Sequence, residues 1–108
     1  MQYKAPKGTR DIFEPDVILW QEVESIARET VEQAGYGEIR TPIFENTELF
    51  VRGIGEASEV VEKQMYTFKT PGGESLTLRP ELTAPVIRAY LEHSMHKTGA
   101  FRKLYYLG

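Results

Sequence analysis

Two polar residues at positions 81 and 83 are the best candidates in this chain for binding a small ligand. They are a carboxylate, Glu81, and a hydroxyl, Thr83, within the segment LRPELTAP at 78–85. A fixed carboxylate beside a hydroxyl can bind a primary ammonium group, such as that of an amino acid, in a partly buried pocket. A carboxylate at the start of a helix can instead cap it or complement its dipole. Taken alone, the segment favours the capping interpretation.

The residues around this pair predict a junction between a strand and a helix. Residues 76–78 alternate as a strand does, and Pro80 lacks a backbone donor and biases Arg79 toward extended geometry. Pro85 suits the first turn of a helix. Arg79 has two interpretations here, an ion pair with Glu81 or packing along the strand with its charge in solvent.

The helix that follows carries the chain's two histidines. Its apolar stripe predicts that it continues to about Lys97 and ends at Gly99. His93 and His96 then share one helical face, but two ligands do not make a metal site, and we expect surface histidines. The chain has no cysteine, so a disulfide framework, a thiolate metal site and a cysteine nucleophile are excluded, and no metal site is predicted.

The first half of the chain predicts a long helix and a strand after it. The helix begins at Pro15, has an apolar face from 19 to 34 and is ended by Gly35 and Gly37. The strand covers 36–45, and Pro42 marks it as an edge or a bulge. Such an edge suits docking of a second subunit, although the chain's own loops could equally cover it.

Turn residues and alternation predict the remaining elements. They are a short helix from 46 or 47 to 51, a polar stretch at 56–64 that is a loop or a loosely held helix, a hairpin of 66–70 and 74–78 joined by 71–73, and a strand at 100–107.

Length and charge set broad limits. The chain has 108 residues, enough for one core but not for two ordinary domains. Its 13 basic and 16 acidic residues give a net charge of -3, which does not indicate nucleic-acid binding by this segment. Neither a secretory signal nor an apolar run long enough to span a membrane is present, so we predict a soluble cytoplasmic protein.

Four segments together resemble the N-terminal part of histidyl-tRNA synthetases, in the same order and at similar intervals. They are KGTRD at 7–11, GEIRTPIFE at 37–45, MYTF at 65–68 and LRPELTAP at 78–85. The resemblance covers essentially the whole chain and implies an α+β fold. Residues 1–108 would form a single partial domain of a class II synthetase catalytic core, an antiparallel sheet flanked by helices, from motif 1 to the start of motif 2.

The resemblance also implies an activity and a set of site residues. The full enzyme would activate histidine with ATP and Mg²⁺ and transfer it to its tRNA. Glu81, Leu82 and Thr83 match the positions that hold the histidine amino group, and Leu82 replaces a glycine found in many relatives, which would narrow the pocket. Catalytic residues are not assigned.

Motif 1 implies a homodimer. The residues that match this motif are Arg40, Thr41 and Pro42, and they are predicted to lie at the subunit interface. No membrane association is predicted. The motif 2 arginine that meets ATP in the family is not within this segment. We therefore expect no cofactor to bind this segment alone and little or no histidine activation by it. Histidine-dependent pyrophosphate exchange near that of a full-length enzyme would contradict this.

Two alternative functions remain open from the sequence. One is the synthetase-like regulatory subunit of ATP phosphoribosyltransferase, which shares the fold but does not charge tRNA. The sequence RPELT at 79–83 favours the synthetase. The other is a non-catalytic module in which the long helix and edge strand serve only dimerisation.

Overall fold

The computed structural model describes residues 2–54, 64–99 and 101–108. It divides into two compact units. The first comprises Met1–Glu38 with Lys103–Gly108, and the second comprises Ile39–Arg102.

One helix and one pair of short strands form the first unit. Helix α1 spans Asp16–Gln33, which confirms the predicted helix; it begins one residue after Pro15 and ends two residues before Gly35. Strand β1 (Gly37–Glu38) pairs in parallel with a strand at Leu104–Tyr105. Gly35 has a φ of +89° and donates its backbone N–H to the carbonyl of Glu32 at 3.0 Å, so it ends the helix as predicted.

Helix α1 presents its apolar stripe to solvent. None of its residues is buried, and Leu19, Val23 and Ile26 are each about 60 % exposed (63, 62 and 59 %). The periodicity therefore predicted the helix correctly, but within the described residues its apolar face is not covered.

Polar contacts hold the Leu104–Tyr105 strand against α1. The Tyr105 hydroxyl donates to Glu32 Oε1 at 2.6 Å and accepts from Arg28 Nη1 at 3.1 Å. The same Arg28 nitrogen lies 2.6 Å from Glu38 Oε1 on β1. Burial, together with the hydrogen bond to Glu32, raises the pKa of Tyr105 above its ordinary value, and Arg28 opposes part of this change.

This network predicts an alkaline loss of stability. A phenol whose pKa is raised in the folded state favours folding below its unfolded pKa, and that contribution is lost as pH rises through the folded pKa. We expect urea unfolding to show a steeper fall in stability above about pH 10 for the unmodified chain than for Tyr105→Phe. Tyr106→Phe, which removes the exposed neighbouring phenol, is the matched control. Equal pH dependence in the unmodified chain and Tyr105→Phe would contradict the prediction.

The second unit is an antiparallel sheet with helices. Its elements are β2 (Phe44–Asn46), α2 (Thr47–Ile54), β3 (Thr67–Lys69), β4 (Ser75–Leu78), α3 (Thr83–Glu92) and a 3-10 helix (Met95–Thr98). The strand order is β2-β4-β3, with Glu45 opposite Thr77 and Phe68 opposite Leu76. The strand at Leu104–Tyr105 in the first unit is β5. The predicted hairpin and the predicted antiparallel sheet are confirmed.

A small core joins α2, α3 and the sheet. Phe50 and Thr77 are fully buried, and Ala89 of α3 is 5 % exposed. Thr77 Oγ1 lies 2.9 Å from the hydroxyls of both Thr47 and Thr67. These hydroxyl contacts satisfy the buried threonine and link the start of α2 and strand β3 to β4.

The predicted strand at 36–45 is wrong as a single element. It divides into β1 and β2, and residues 39–43 between them belong to no strand. Pro42 has no N–H to donate to a ladder, and a single side-chain nitrogen of Arg79, Nη1, contacts the carbonyls of Thr41 and Pro42. The predicted edge is therefore an irregular connection.

Other boundaries also differ from the predictions. Helix α3 ends at Glu92 instead of near Lys97, because Ser94 adopts a left-handed conformation with φ of +54°. The last predicted strand is reduced to β5. Helix α2 runs three residues beyond the predicted Val51, to Ile54. The predicted loop or loose helix at 56–64 falls almost entirely outside the described residues.

Candidate functional site

The predicted junction is present in the second unit. Strand β4 ends at Leu78, and α3 begins at Thr83. The backbone N–H of Arg79 donates to the carbonyl of Ile43 at 2.9 Å and extends the β2–β4 pairing by one bond. Pro80 and Glu81 then turn the chain into the helix, as the proline spacing predicted.

Glu81 caps helix α3. Its Oε2 accepts from the N–H of Thr83 at 2.6 Å, and the N–H of Ala84 lies 3.1 and 3.2 Å from its two oxygens. Two of the helix's unpaired N–H groups are satisfied in this way, and the negative charge faces the positive end of the helix dipole. The capping interpretation is confirmed. The ammonium-binding role of Glu81 remains a prediction.

Glu81 and Thr83 can accept further hydrogen bonds after the cap is formed. A carboxylate offers about four lone-pair positions, and two N–H groups share the oxygens of Glu81. The Thr83 side chain is exposed, and its hydroxyl makes no hydrogen bond to another described residue. Glu81 and Leu82 are half-buried. The capping bonds fix the carboxylate in place, and within the described residues both the carboxylate and the Thr83 hydroxyl keep the capacity to accept a further hydrogen bond.

A groove of about 820 Å³ passes this pair of residues. Glu81 and Thr83 line one part of it, and residues of α2 and α3 line the rest: Leu49, Phe50, Ala84, Ile87, Arg88, Leu91 and Glu92. Most of this lining is apolar, with a few charged groups. Such a combination suits a small ligand that has one polar end.

An ion pair next to the groove was not found by sequence reasoning. Arg88 Nη2 donates to Glu45 Oε1 at 2.8 Å, Arg88 Nε lies 2.8 Å from Glu45 Oε2, and Nη1 contacts Glu92. Burial disfavours the Arg88 cation, but the hydrogen bond and charge of Glu45, then those of Glu92, outweigh it and raise the pKa of Arg88. Arg88 and Glu92 are four residues apart on a helix, a spacing that predicts an ion pair from the sequence. No local pattern predicts the contact between Arg88 and Glu45.

The predicted interface residues Arg40, Thr41 and Pro42 lie in the irregular connection before β2. Arg40 and Pro42 are exposed and Thr41 is half-buried. Among the described residues, the buried Thr41 hydroxyl has no hydrogen-bond partner. Arg79 donates from Nη1 to the Thr41 carbonyl at 3.1 Å. The ion pair with Glu81 is not found among the described residues, and the Arg79 head, which the second interpretation left in solvent, donates to backbone carbonyls instead. The interface itself stays a prediction.

The two histidines do not share a helix. His93 is the residue that follows α3, and His96 belongs to the 3-10 helix; both are exposed. In the part of the chain that the structure describes, no group of three or more His, Asp or Glu side chains is arranged to hold a metal ion. Over the same residues, no helix is long and apolar enough to cross a membrane.

The antiparallel sheet and the capped helix that follows it match part of the catalytic domain of an aminoacyl-tRNA synthetase. A crystal structure of apo histidyl-tRNA synthetase from S. aureus superimposes with a TM-score of 0.83 at 44 % identity, over 97 % of this chain and 28 % of that one. The family described as histidyl-tRNA synthetase matches residues 8–108, and the chain belongs to this family.

Relatives in sequence and structure agree with this assignment. The histidine–tRNA ligase of Thermosipho africanus is 55 % identical over 106 residues, which are 98 % of this chain and 25 % of that protein. A structure from Bacillus halodurans, described as an ATP phosphoribosyltransferase regulatory subunit/histidyl-tRNA synthetase, has a TM-score of 0.77 at 27 % identity, over 100 % of this chain and 27 % of that one. The chain thus spans about a quarter of the length of the curated relatives it matches.

Proposed function

We propose that the chain is a segment of a histidine–tRNA ligase and supplies the amino-group side of its histidine pocket. The observation that carries this proposal is the fixed Glu81 carboxylate in a largely apolar groove that Thr83 also lines, the Thr83 hydroxyl having no partner among the described residues. Family membership supports it independently. Glu81 accepts from the ammonium group of histidine, Thr83 provides the second acceptor, and Leu82 between them narrows the pocket.

The complete enzyme uses ATP with Mg²⁺ and then tRNA. A carboxylate oxygen of histidine attacks the α-phosphorus of ATP. A bond forms between that oxygen and the phosphorus, and the bond between the α-phosphorus and the departing pyrophosphate breaks. The tRNA hydroxyl then attacks the activated carbonyl and releases AMP. This segment's part is positional: holding the amino group limits the directions in which the carboxylate can point, which lowers the entropic cost of in-line attack.

We also propose that the protein assembles as a homodimer. Arg40, Thr41 and Pro42 lie at the interface of a cytoplasmic homodimer, and residues 1–108 are a single part of the larger catalytic domain. The exposed apolar face of α1 and the unpartnered hydroxyl of Thr41 support this, since both are groups that a neighbouring surface would cover.

The ligase is better supported than the regulatory subunit. Identity is 55 % to the Thermosipho ligase and 44 % to the S. aureus synthetase, against 27 % to the Bacillus halodurans protein whose description includes the regulatory subunit.

A chimaera tests the proposal directly. Residues 1–108 replace the matching quarter of the Thermosipho africanus ligase, so that the segment is tested in a chain of full length. We expect ATP–pyrophosphate exchange that depends on histidine and aminoacylation of histidine tRNA, with the unaltered ligase as the reference. A chimaera that folds and dimerises but shows no histidine-dependent exchange would contradict the proposal.

A further inference from the structure

Arg79 supplies several of the polar contacts made by the connection between β1 and β2. Residues 39–43 belong to no strand, so their carbonyls must find hydrogen-bond partners outside a regular strand ladder. Arg79 Nη1 donates to the Thr41 carbonyl at 3.1 Å and makes a longer contact of 3.5 Å with the Pro42 carbonyl. The Arg79 backbone N–H donates to the next carbonyl, that of Ile43, at 2.9 Å. One residue therefore contacts three consecutive carbonyls.

The chemistry of arginine suits this arrangement. A guanidinium is planar and carries five N–H donors in fixed directions, so it can contact neighbouring carbonyls without searching many rotamers. Arg79 is half-buried, so water competes less for these carbonyls than at an open surface. A lysine can replace one such bond but does not present the same planar set of donors.

Arg79 is also joined by a stiff stretch of backbone to Glu81, whose carboxylate binds the amino group in the proposed site. Only Pro80 separates Arg79 from Glu81, and proline fixes its own φ near -65° and restricts the residue before it. Beyond Pro80, the Glu81 carboxylate is bound to the first N–H groups of α3. A displacement of Arg79 is therefore transmitted to Glu81 instead of being absorbed by a flexible linker.

We infer that Arg79 is a positioning residue that couples the 41–43 segment to the amino-acid site. Its guanidinium holds the Thr41 and Pro42 carbonyls, and its backbone fixes the turn that aims Glu81. The inference rests on the proposed function, because it assigns Arg79 a role in the same histidine pocket. It extends that function, since histidine binding then responds to the conformation of residues 41–43.

The test uses the full-length chimaera with Arg79→Ala and Arg79→Lys. We expect the KM for histidine to rise about tenfold in Arg79→Ala and about threefold in Arg79→Lys, with the KM for ATP unchanged. Lys69→Ala removes a cation from an exposed position on β3 and is the matched control, expected to leave both KM values unchanged. The partial rescue by lysine and the selectivity for histidine are effects that general destabilisation does not produce.

The outcomes separate this inference from the proposed function. Glu81→Gln is measured in the same series. If Glu81→Gln raises the KM for histidine and Arg79→Ala does not, or if Arg79→Ala lowers only kcat, the positioning role is wrong while the pocket stands. If Glu81→Gln itself leaves histidine binding unchanged, the proposed pocket is wrong.

Discussion

Glu81→Gln in the full-length chimaera is expected to lower kcat/KM for histidine by roughly 100-fold, the consequence of losing a charge-assisted contact worth up to about 3 kcal/mol. The amide oxygen can still accept from the N–H of Thr83, so the cap of α3 is kept in part. What is lost is the negative charge opposite the ammonium group. Steady-state pyrophosphate exchange at varied histidine concentration measures the effect.

Two further variants assign the cause of that loss. Glu81→Ala removes both charge and cap and is expected to cost about 1 kcal/mol of stability in addition to the loss of activity. Glu74→Gln neutralises an exposed carboxylate in the β3–β4 hairpin and should leave kcat/KM unchanged. If Glu81→Gln keeps full activity, the carboxylate serves only as a cap.

Arg88→Ala is expected to lower the free energy of unfolding by about 3 kcal/mol, because it leaves a buried carboxylate without its partner. The Glu45 side chain is only 7 % exposed and that of Arg88 is 28 % exposed. Glu92, the other partner of Arg88, is 58 % exposed, so Glu92→Ala should cost no more than about 0.5 kcal/mol. Urea unfolding of the chain, followed by circular dichroism, measures both changes.

A double variant distinguishes the unpaired charge from the lost contacts. In Arg88→Met with Glu45→Gln, no buried charge is left unpaired, and the methionine keeps most of the apolar stem. We expect this pair to recover at least half of the stability lost in Arg88→Ala. Equal losses in Arg88→Ala and Glu92→Ala, or no recovery in the double variant, would contradict the account of the ion pair.

The features predicted correctly from the sequence are those with local causes. Alternation and the Pro71-Gly72-Gly73 turn predicted the β3–β4 hairpin, because turn geometry depends on the residues in the turn itself. Pro80 and Pro85 predicted the junction for the same reason. Helix capping was one of the two roles that the sequence suggested for Glu81, because the N–H groups that it accepts from are only two and three residues away.

The features that were missed depend on distant partners or on an unusual backbone. Arg79 and the Thr41 carbonyl are 38 residues apart, and Arg88 and Glu45 are 43 apart, so no local pattern predicts either contact. The end of α3 was misplaced because Ser94 is left-handed without being glycine, and the next glycine in the chain is Gly99.

The most direct test of the amino-group pocket is a crystal structure of the chimaera with histidine bound. We predict that the α-amino nitrogen of histidine lies within about 3 Å of a Glu81 carboxylate oxygen and of the Thr83 hydroxyl, with the capping bonds to Thr83 and Ala84 retained. A histidine whose amino group is held by other residues, while Glu81 contacts only the start of α3, would contradict it.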